Sequence, residues 1–171
     1  LIGELNLSKG DQIIFLGDYV NKGSHSLEVI EEIITLSNKF SVFPLLGNHD
    51  KMVLDFLLND SDKNLRNKLR ELSNDAFFDL NPKEKIRIKK FLLGLPYYYS
   101  SENYLFVHAG FNTESIDLFK EKNEMLNIRN FQYSWKVYQQ KRIIHGHNPK
   151  SISEIKKAII SNKPIMNIIF I

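Results

Sequence analysis

The sequence predicts an α/β fold in which short buried strands alternate with amphipathic helices. Residues 12–16 and 41–46 are β-branched or aromatic runs, and each is followed directly by a glycine. Such runs are typical of buried strands. Between them, residues 26–40 carry apolar side chains at the three- and four-residue spacing of a helix. Strands and helices that alternate in this way, with polar residues in the loops, indicate a layered α/β domain.

The middle of the chain is predicted to be helical. Residues 49–58 form a second helix candidate, and residues 59–93 are helical in character and rich in charge. Within that stretch, Asn81 is followed by Pro82 and Glu84. This is the order of a helix cap, a first-turn proline and an early carboxylate, so a helix is expected to begin there.

The last third of the chain is predicted to return to strands. Residues 97–100 and Tyr104–Val107 indicate a hairpin, and residues 142–144 indicate a further strand. A capping-box pattern predicts a helix over residues 151–161, and a final apolar run follows at 165–171. The three tyrosines of residues 97–99 are expected to pack on a sheet and not to line a substrate surface.

Length and composition restrict the possible functions. A chain of 171 residues fits one compact domain, so residues 1–171 are predicted to form a single domain. The absence of cysteine excludes disulfides and thiolate metal sites, and the remaining ligand types favour Mn, Fe or Zn. The net charge of +3 is spread along the chain, so no nucleic-acid partner is expected. No segment is long and apolar enough to suggest a membrane partner. We expect a cytoplasmic protein; the oligomeric state and a signal peptide remain open.

Four of the five histidines stand beside glycine in short polar clusters that follow strand candidates. They are His49 in GNHD, His108 in HAG, and His145 and His147 in HGH. Asp18 similarly follows a glycine that closes a strand candidate. Because strand ends in layered folds meet at one edge, these loops are expected to converge. Imidazole nitrogens and a carboxylate would then offer ligands to a divalent ion. Taken singly, each histidine is better explained as a satisfied surface or core residue.

These clusters resemble the motifs of the calcineurin-like metallophosphoesterases in both sequence and order. GDYVNKG at 17–23, GNHD at 47–50, HAG at 108–110 and HGHNP at 145–149 are similar to blocks of the bacterial serine/threonine phosphoprotein phosphatase branch. Those blocks read Gly-Asp-Xaa-Val-Asp-Arg-Gly, Gly-Asn-His-Glu/Asp, His-Ala-Gly and Gly-His-Thr-Pro. The resemblance implies a layered α/β/β/α sandwich that hydrolyses phosphate esters at a site for two divalent metal ions.

The resemblance implies a role for each predicted metal ligand. Asp18 would bridge the two metals, and Asn48, His108 and His147 would complete the shell of the second metal. His147 follows the glycine of the last block, so His145 is expected to pack or hydrogen-bond beside the site. A dinuclear site activates water for attack on phosphorus, and no protein nucleophile is then needed.

Further roles concern the substrate. His49 matches the histidine that protonates the leaving oxygen, and Asn21 would orient its ring. Lys22 and Arg129 would bind the charged phosphoryl group together with Asn48.

The sequence departs from the family pattern in three places. The Asp-Xaa-His motif, which supplies two of the first metal's three protein ligands, does not occur in the 171 residues. We therefore expect an N-terminally truncated chain that completes one metal site and is weakly active or inactive. The C-terminal sheet is also expected to be incomplete. Asn21 and Lys22 replace Asp-Arg, which weakens support for an imidazolium and removes the bidentate grip of arginine on phosphate. Asn148 replaces threonine, a conservative polar exchange.

The leading functional prediction is a serine/threonine phosphoprotein phosphatase acting on a phosphoprotein or a small phosphoester. A symmetrical diadenosine tetraphosphatase-like hydrolase is an alternative, because the shared motifs do not separate the two activities. A catalytically impaired phosphate-binding pseudoenzyme is another, and a purely structural α/β interaction module is the third.

Overall fold

The computed structural model describes residues 6–8, 10–72, 75–112, 114–130, 141–149, 151–154 and 156. Within these ranges the elements are β1 (Gln12–Phe15), α1 (Ser26–Ser37), β2 (Ser41–Pro44), α2 (Asn48–Leu58), α3 (Lys63–Glu71), a short 3-10 helix (Asp75–Phe77), α4 (Pro82–Leu93), β3 (Tyr98–Ser100), β4 (Tyr104–Val107), α5 (Lys122–Asn127) and β5 (Arg142–His145). Strands and helices alternate as the sequence predicts, and the α/β class is confirmed.

The strands form two small sheets. β1 and β2 pair in parallel, with Ile13 opposite Val42. In the second sheet β4 is central, because it pairs antiparallel with β3 and parallel with β5. The rings of Phe43 on β2 and Tyr99 on β3 stack with their centroids 4.3 Å apart, which joins the two sheets. Backbone hydrogen bonds from Leu45 to Phe15 and from Gly146 to His108 then hold the loops that leave the strands.

Two apolar clusters form the core. The larger one packs α1 to α4 together and includes the fully buried Ile30, Val53 and Leu69. The smaller one lies at β4, β5 and α5 and includes Phe111 and Met125. The polar loops lie at the carboxyl ends of β1, β2, β4 and β5, where the layers leave room for ligands.

Several predicted boundaries need correction. Helix α1 ends at Ser37, three residues before the predicted end, because the Asn38 amide bonds back to Leu36 and Thr35 in a tightened last turn. Strand β2 ends at Pro44, and the Leu46 amide bonds to Pro96 and not along the sheet. The predicted hairpin is confirmed, with β3 and β4 antiparallel.

Residues 59–93, predicted to be helical with a helix beginning at Asn81, form two separate helices, α3 and α4, and the start at Asn81 is confirmed. Asp62 begins α3 by accepting the Asn64 and Leu65 amides. Asn81 begins α4 in the same way, with Pro82 in the first turn and Glu84 completing a capping box. Because the residue before a proline avoids the helical conformation, one helix cannot pass through Asn81.

The predicted C-terminal elements fall largely outside the described residues. Residues 152–154 and 156 are helical, and the rest of the predicted helix over 151–161 lies outside. The apolar run at 165–171 lies wholly outside. In the described part of the chain, every helix is too short or too polar to cross a bilayer.

Candidate metal centre

Four loops bring one ligand-type side chain each to a common point. Asp18 follows β1, Asn48 opens α2 after β2, His108 follows β4, and His147 follows β5. The structure thus brings together the four side chains that the sequence marks as metal ligands. Their role as ligands stays a prediction.

The donor atoms of these four side chains lie within ligand-sharing distance. His108 Nε2 is 3.0 Å from Asn48 Oδ1, 3.1 Å from His147 Nδ1 and 3.5 Å from Asp18 Oδ1. His147 Nδ1 is 3.2 Å from Asn48 Oδ1. Ligands about 2.0–2.1 Å from a tetrahedral ion lie about 3.3–3.4 Å from one another. The cluster therefore has the dimensions of a first coordination shell.

The hydrogen bonding of His108 fixes which nitrogen faces this cluster with a lone pair. Its Nδ1 lies 2.7 Å from the carbonyl oxygen of Leu16. A carbonyl only accepts, so Nδ1 carries the proton. Burial, as the main cause, lowers the pKa of His108, so the ring is neutral near pH 7 and Nε2 has no proton.

A cation would relieve the repulsion inside the cluster. The lone pair of His108 Nε2 faces the amide oxygen of Asn48 and the carboxylate of Asp18, neither of which has a proton to donate. Acceptors packed this closely repel one another unless a positive charge, or a proton on His147 Nδ1, lies between them. The residues present therefore fit a divalent ion held by nitrogen and oxygen ligands.

Two glycines allow the loops after β1 and β2 to approach. Gly17 has φ +96°, and a Cβ there would lie 2.5 Å from the Gly47 nitrogen. A Cβ on Gly47 would lie 2.3 Å from both the nitrogen and Oδ1 of Asp18. Side chains at either position would therefore push Asp18 and Asn48 apart.

Strained backbone concentrates in the same loops. Among the residues that the structure describes, four non-glycine residues have left-handed φ values: Asp18 (63°), Asn21 (69°), Lys22 (60°) and His147 (64°). Such conformations cost free energy and persist where surrounding contacts hold them, as at binding sites. All four belong to the sequence clusters that predict the site.

Asp50 locks the two loops together, and the sequence analysis missed it. Its buried carboxylate accepts the backbone amides of Asp18 (2.7 Å), Tyr19 (2.9 Å) and Gly47 (2.8 Å). Burial, followed by the charge of Asp18, raises the pKa of Asp50 to about 7, while the three amide bonds act in the opposite direction. The sequence signal for this role is the position of Asp50 in the first turn of α2, three residues after the cap residue Gly47, which has no side chain of its own to cap the helix.

His49 lies beside the donor cluster and is held by Asn21. Asn21 Nδ2 lies 2.9 Å from His49 Nδ1, and the His49 amide donates to Asp18 Oδ1 at 3.1 Å. Burial, as the main cause, lowers the pKa of His49. Asn21 is itself buried, and its Oδ1 has no hydrogen-bond partner among the described residues.

Lys22 and Arg129, the two basic residues that are predicted to bind phosphate, lie at the edge of the donor cluster. Lys22 is exposed, and its charge is one of those that act on His49. Arg129 Nη1 donates to Asn148 Oδ1 at 3.2 Å, and Asn148 Nδ2 returns a bond to the Arg129 carbonyl at 2.7 Å. Burial, then the charges of His108 and Arg129, lower the pKa of His147 to about 4.

His145 lies outside the donor cluster. It is buried, and its Nδ1 lies 3.2 Å from the Gly146 carbonyl oxygen. Within the described residues, the cluster of titratable ligand-type side chains comprises Asp18, His108 and His147, whose donor atoms all lie within 4.8 Å of one another.

Comparison with known proteins gives a family and a fold. The family model described as calcineurin-like phosphoesterase matches residues 1–162. The chain is 52% identical over 44 residues to a symmetrical bis(5'-nucleosyl)-tetraphosphatase of Acidovorax ebreus (strain TPSY). That match spans 26% of this chain and 15% of the relative.

Two solved structures are similar in fold. One is a protein described as a diadenosine tetraphosphatase, with a TM-score of 0.50 and 18% identity; the match covers 82% of this chain and 64% of that one. The other is a serine/threonine phosphatase from Saccharomyces cerevisiae, with a TM-score of 0.47 and 16% identity, covering 80% of this chain and 51% of that one. The chain thus spans less than two thirds of the length of the relatives it matches.

Proposed function

The chain belongs to the calcineurin-like phosphoesterase family, and we propose that it hydrolyses phosphate esters with divalent metal ions, most favourably as a serine/threonine phosphoprotein phosphatase. The observation that carries the proposal is the meeting of four lone-pair donors from Asp18, Asn48, His108 and His147, in which four of the six pairs are 3.0 to 3.5 Å apart. Mn, Fe or Zn matches this donor set.

The residues around the donor cluster suit phosphoryl transfer. Bound metal ions would polarise the phosphoryl oxygens and lower the pKa of water. At the edge of the donor cluster, Lys22 and Arg129 would bind the phosphoryl oxygens. Lys22 would do so through the compact charge of its ammonium group, and Arg129 through the two parallel N–H groups of its planar guanidinium. Asn21 Nδ2 donates to His49 Nδ1, which keeps the ring proton of neutral His49 on Nε2. That N–H group would donate a hydrogen bond to the leaving oxygen.

Metal content tests the site directly. We expect the chain to bind Mn²⁺ or Zn²⁺ at one site, and His108→Ala to lower the affinity at least about 100-fold through loss of a ligand. His25→Ala is the matched control, because His25 is an exposed histidine at the start of α1. Equal metal content in the parent chain and in His108→Ala would rule out the proposed centre.

A second candidate activity is symmetrical cleavage of a dinucleoside tetraphosphate. The local identity to a symmetrical bis(5'-nucleosyl)-tetraphosphatase supports it. Hydrolysis of a phosphoserine peptide and of diadenosine tetraphosphate, each with Mn²⁺, separates the two candidates. Turnover of the dinucleotide alone would remove the phosphoprotein phosphatase proposal.

The remaining alternative is a phosphate-binding protein with impaired chemistry. The 171 residues contain no Asp-Xaa-His motif and carry Asn21 where the family pattern has aspartate. Metal binding that depends on His108, without turnover of either substrate, would favour this alternative. Asn21→Asp should then raise any residual rate, because a carboxylate stabilises the imidazolium of His49.

A further inference from the structure

A basic cleft opens directly beside the candidate metal centre. Its volume is about 450 Å³, and it lies between α2, α3 and α5. Its lining includes Asn48, Lys51, Lys68, Tyr97 and Lys122. Asn48 belongs to both places, because it lines the cleft while its Oδ1 lies in the donor cluster. The cleft therefore adjoins the donor cluster at Asn48.

The cleft has an excess of positive charge. Three lysines line it, and Asp55 is the one acidic side chain among its described lining residues. Asp55 is already paired with Lys51, whose Nζ lies 2.5 and 2.7 Å from the two carboxylate oxygens. In the described part of the chain, Lys68 and Lys122 form no ion pair. Two ammonium groups thus face the cleft without a counter-charge.

The lysines reach the cleft from different elements around Asn48. Lys51 is one turn further along α2, about 4.5 Å along the helix axis. Lys122 Nζ lies 5.1 Å from the centre of the Tyr97 ring, which holds it over an aromatic face at the cleft wall. Lys68 stands on α3 and is exposed. Positive groups therefore come from three separate elements.

We propose that this cleft is a subsite for the additional phosphate groups of a linear phosphate chain, such as that of a nucleoside polyphosphate, whose terminal or internal phosphoryl group lies at the metal centre. The inference rests on the second candidate activity of the proposed function, cleavage of a dinucleoside tetraphosphate, because that substrate carries a linear phosphate chain and a phosphoprotein does not. A simple monoester leaves Lys68 and Lys122 without a partner. A chain of linked phosphates supplies successive negative charges from Asn48 outward.

Binding of inorganic phosphates to the metal-free chain tests the subsite. Metal ions are removed with a chelator and then by gel filtration, because tripolyphosphate itself binds divalent cations. Calorimetric titration at low ionic strength should show inorganic tripolyphosphate binding at least about tenfold more tightly than orthophosphate, since several close charge pairs add. The amide resonances of Asn123 and Asn127, which also line the cleft, should shift on binding.

Charge variants locate the binding. The double variant Lys68→Gln/Lys122→Gln should lose about tenfold in tripolyphosphate affinity while orthophosphate affinity changes less than about twofold. Lys68→Arg/Lys122→Arg should retain tripolyphosphate binding, because the charge is kept. Lys83→Gln/Lys90→Gln, which removes two exposed lysines of α4 outside the cleft, is the matched control. Thermal unfolding of each variant confirms that it is folded.

The outcomes separate the subsite from the proposed function. Equal affinity for tripolyphosphate and orthophosphate, or tripolyphosphate binding that Lys68→Gln/Lys122→Gln leaves unchanged, would overturn the subsite. A failure of Mn²⁺-dependent hydrolysis would bear on the proposed function alone, because the titrations contain no metal. Diadenosine tetraphosphate should compete with tripolyphosphate for the cleft. A peptide with two adjacent phosphoserines that competes more strongly would overturn the assignment to a linear phosphate chain.

Discussion

The metal centre and the helical layer of α3 and α4 on α2 are stabilised by different interactions. In the metal centre, buried polar atoms lie against one another and Asp18 and His147 adopt left-handed backbone conformations. In the helical layer, Leu69 and Ile88 are buried among apolar side chains, and the helices begin at side-chain caps. The first region depends on close geometry and, as proposed, on a cation, whereas the second depends on apolar volume. Substitutions should therefore affect the two regions in different measurements.

The largest effect is expected at Gly47. A Cβ there would lie 2.3 Å from the Asp18 backbone nitrogen, which cannot move without displacing the Asp18 ligand. Gly47→Ala should abolish measurable Mn²⁺ binding and lower the free energy of unfolding by about 3 kcal/mol. Gly23→Ala is the control, because a Cβ on Gly23 has no other atom within 4 Å. Titration calorimetry and urea unfolding measure the two effects, and Mn²⁺ affinity retained in Gly47→Ala would contradict the required close approach.

A cavity in the helical layer should give the opposite pattern. Leu69 is fully buried between helices, so Leu69→Ala should lower the free energy of unfolding by about 3 kcal/mol. The Mn²⁺ affinity of the folded protein should stay within about twofold, because additivity holds for sites without shared contacts. Exposed Leu58, at the end of α2, provides the matched substitution Leu58→Ala with little expected loss. Weaker metal binding in Leu69→Ala would show that the two regions are coupled.

Acid should destabilise the metal-free centre through His147. Its folded-state pKa is lowered to about 4 from the ordinary 6.5, with burial as the main cause. Between these values the unfolded state binds more protons, so this contribution to stability is present above pH 6.5 and is lost as pH falls toward 4. His147→Asn, which tolerates the left-handed backbone, should lose less stability over that range in urea unfolding with a chelator present.

The titration of Asp50 changes the stability with pH in the opposite direction to that of His147, and it does so equally in the parent chain and in His147→Asn. Because its pKa is raised, Asp50 keeps its proton in the folded state up to about pH 7. The folded state therefore binds more protons than the unfolded state between about pH 4 and 7, and the contribution of Asp50 to the free energy of unfolding falls as the pH rises over that range. The difference between the parent chain and His147→Asn therefore isolates the histidine. Identical pH profiles for the two proteins would contradict the assigned burial of His147.

The sequence predicts the helical layer where local signals are strong. The cap at Asn81, with Pro82 and Glu84 following, gives the start of α4 as observed. The start of α3 is not predicted, because its cap Asp62 stands inside a charged stretch with no proline beside it. Local propensity therefore locates a helix end only where several signals coincide.

At the candidate metal centre the functional residues are evident in the sequence, but the contacts that position them are not. Motif residues such as Asp18 and His108 are evident in the sequence, and the structure brings them together. Their support is not evident, because the bonds from the Asp18 amide to the Asp50 carboxylate and from His108 to the Leu16 carbonyl join residues 32 and 92 positions apart. The first contact arises once β1 and β2 have paired and the second once the two sheets have packed, so no local pattern predicts either.

The smallest expected effect is at the Asn81 cap. Its side chain accepts the Lys83 and Glu84 amides at 3.0 Å, and Asn81→Ala leaves both amides without that partner. The free energy of unfolding should fall by about 1 kcal/mol. Exposed Asn103, in the turn between β3 and β4, is the control, since Asn103→Ala should cost less than about 0.5 kcal/mol. Mn²⁺ affinity should be unchanged in both variants, because the cap acts on a helix end and not on the donor cluster. A fall in affinity for Asn81→Ala alone would mean that the start of α4 helps to position the loops of the metal centre, and the separation between the two regions would then fail.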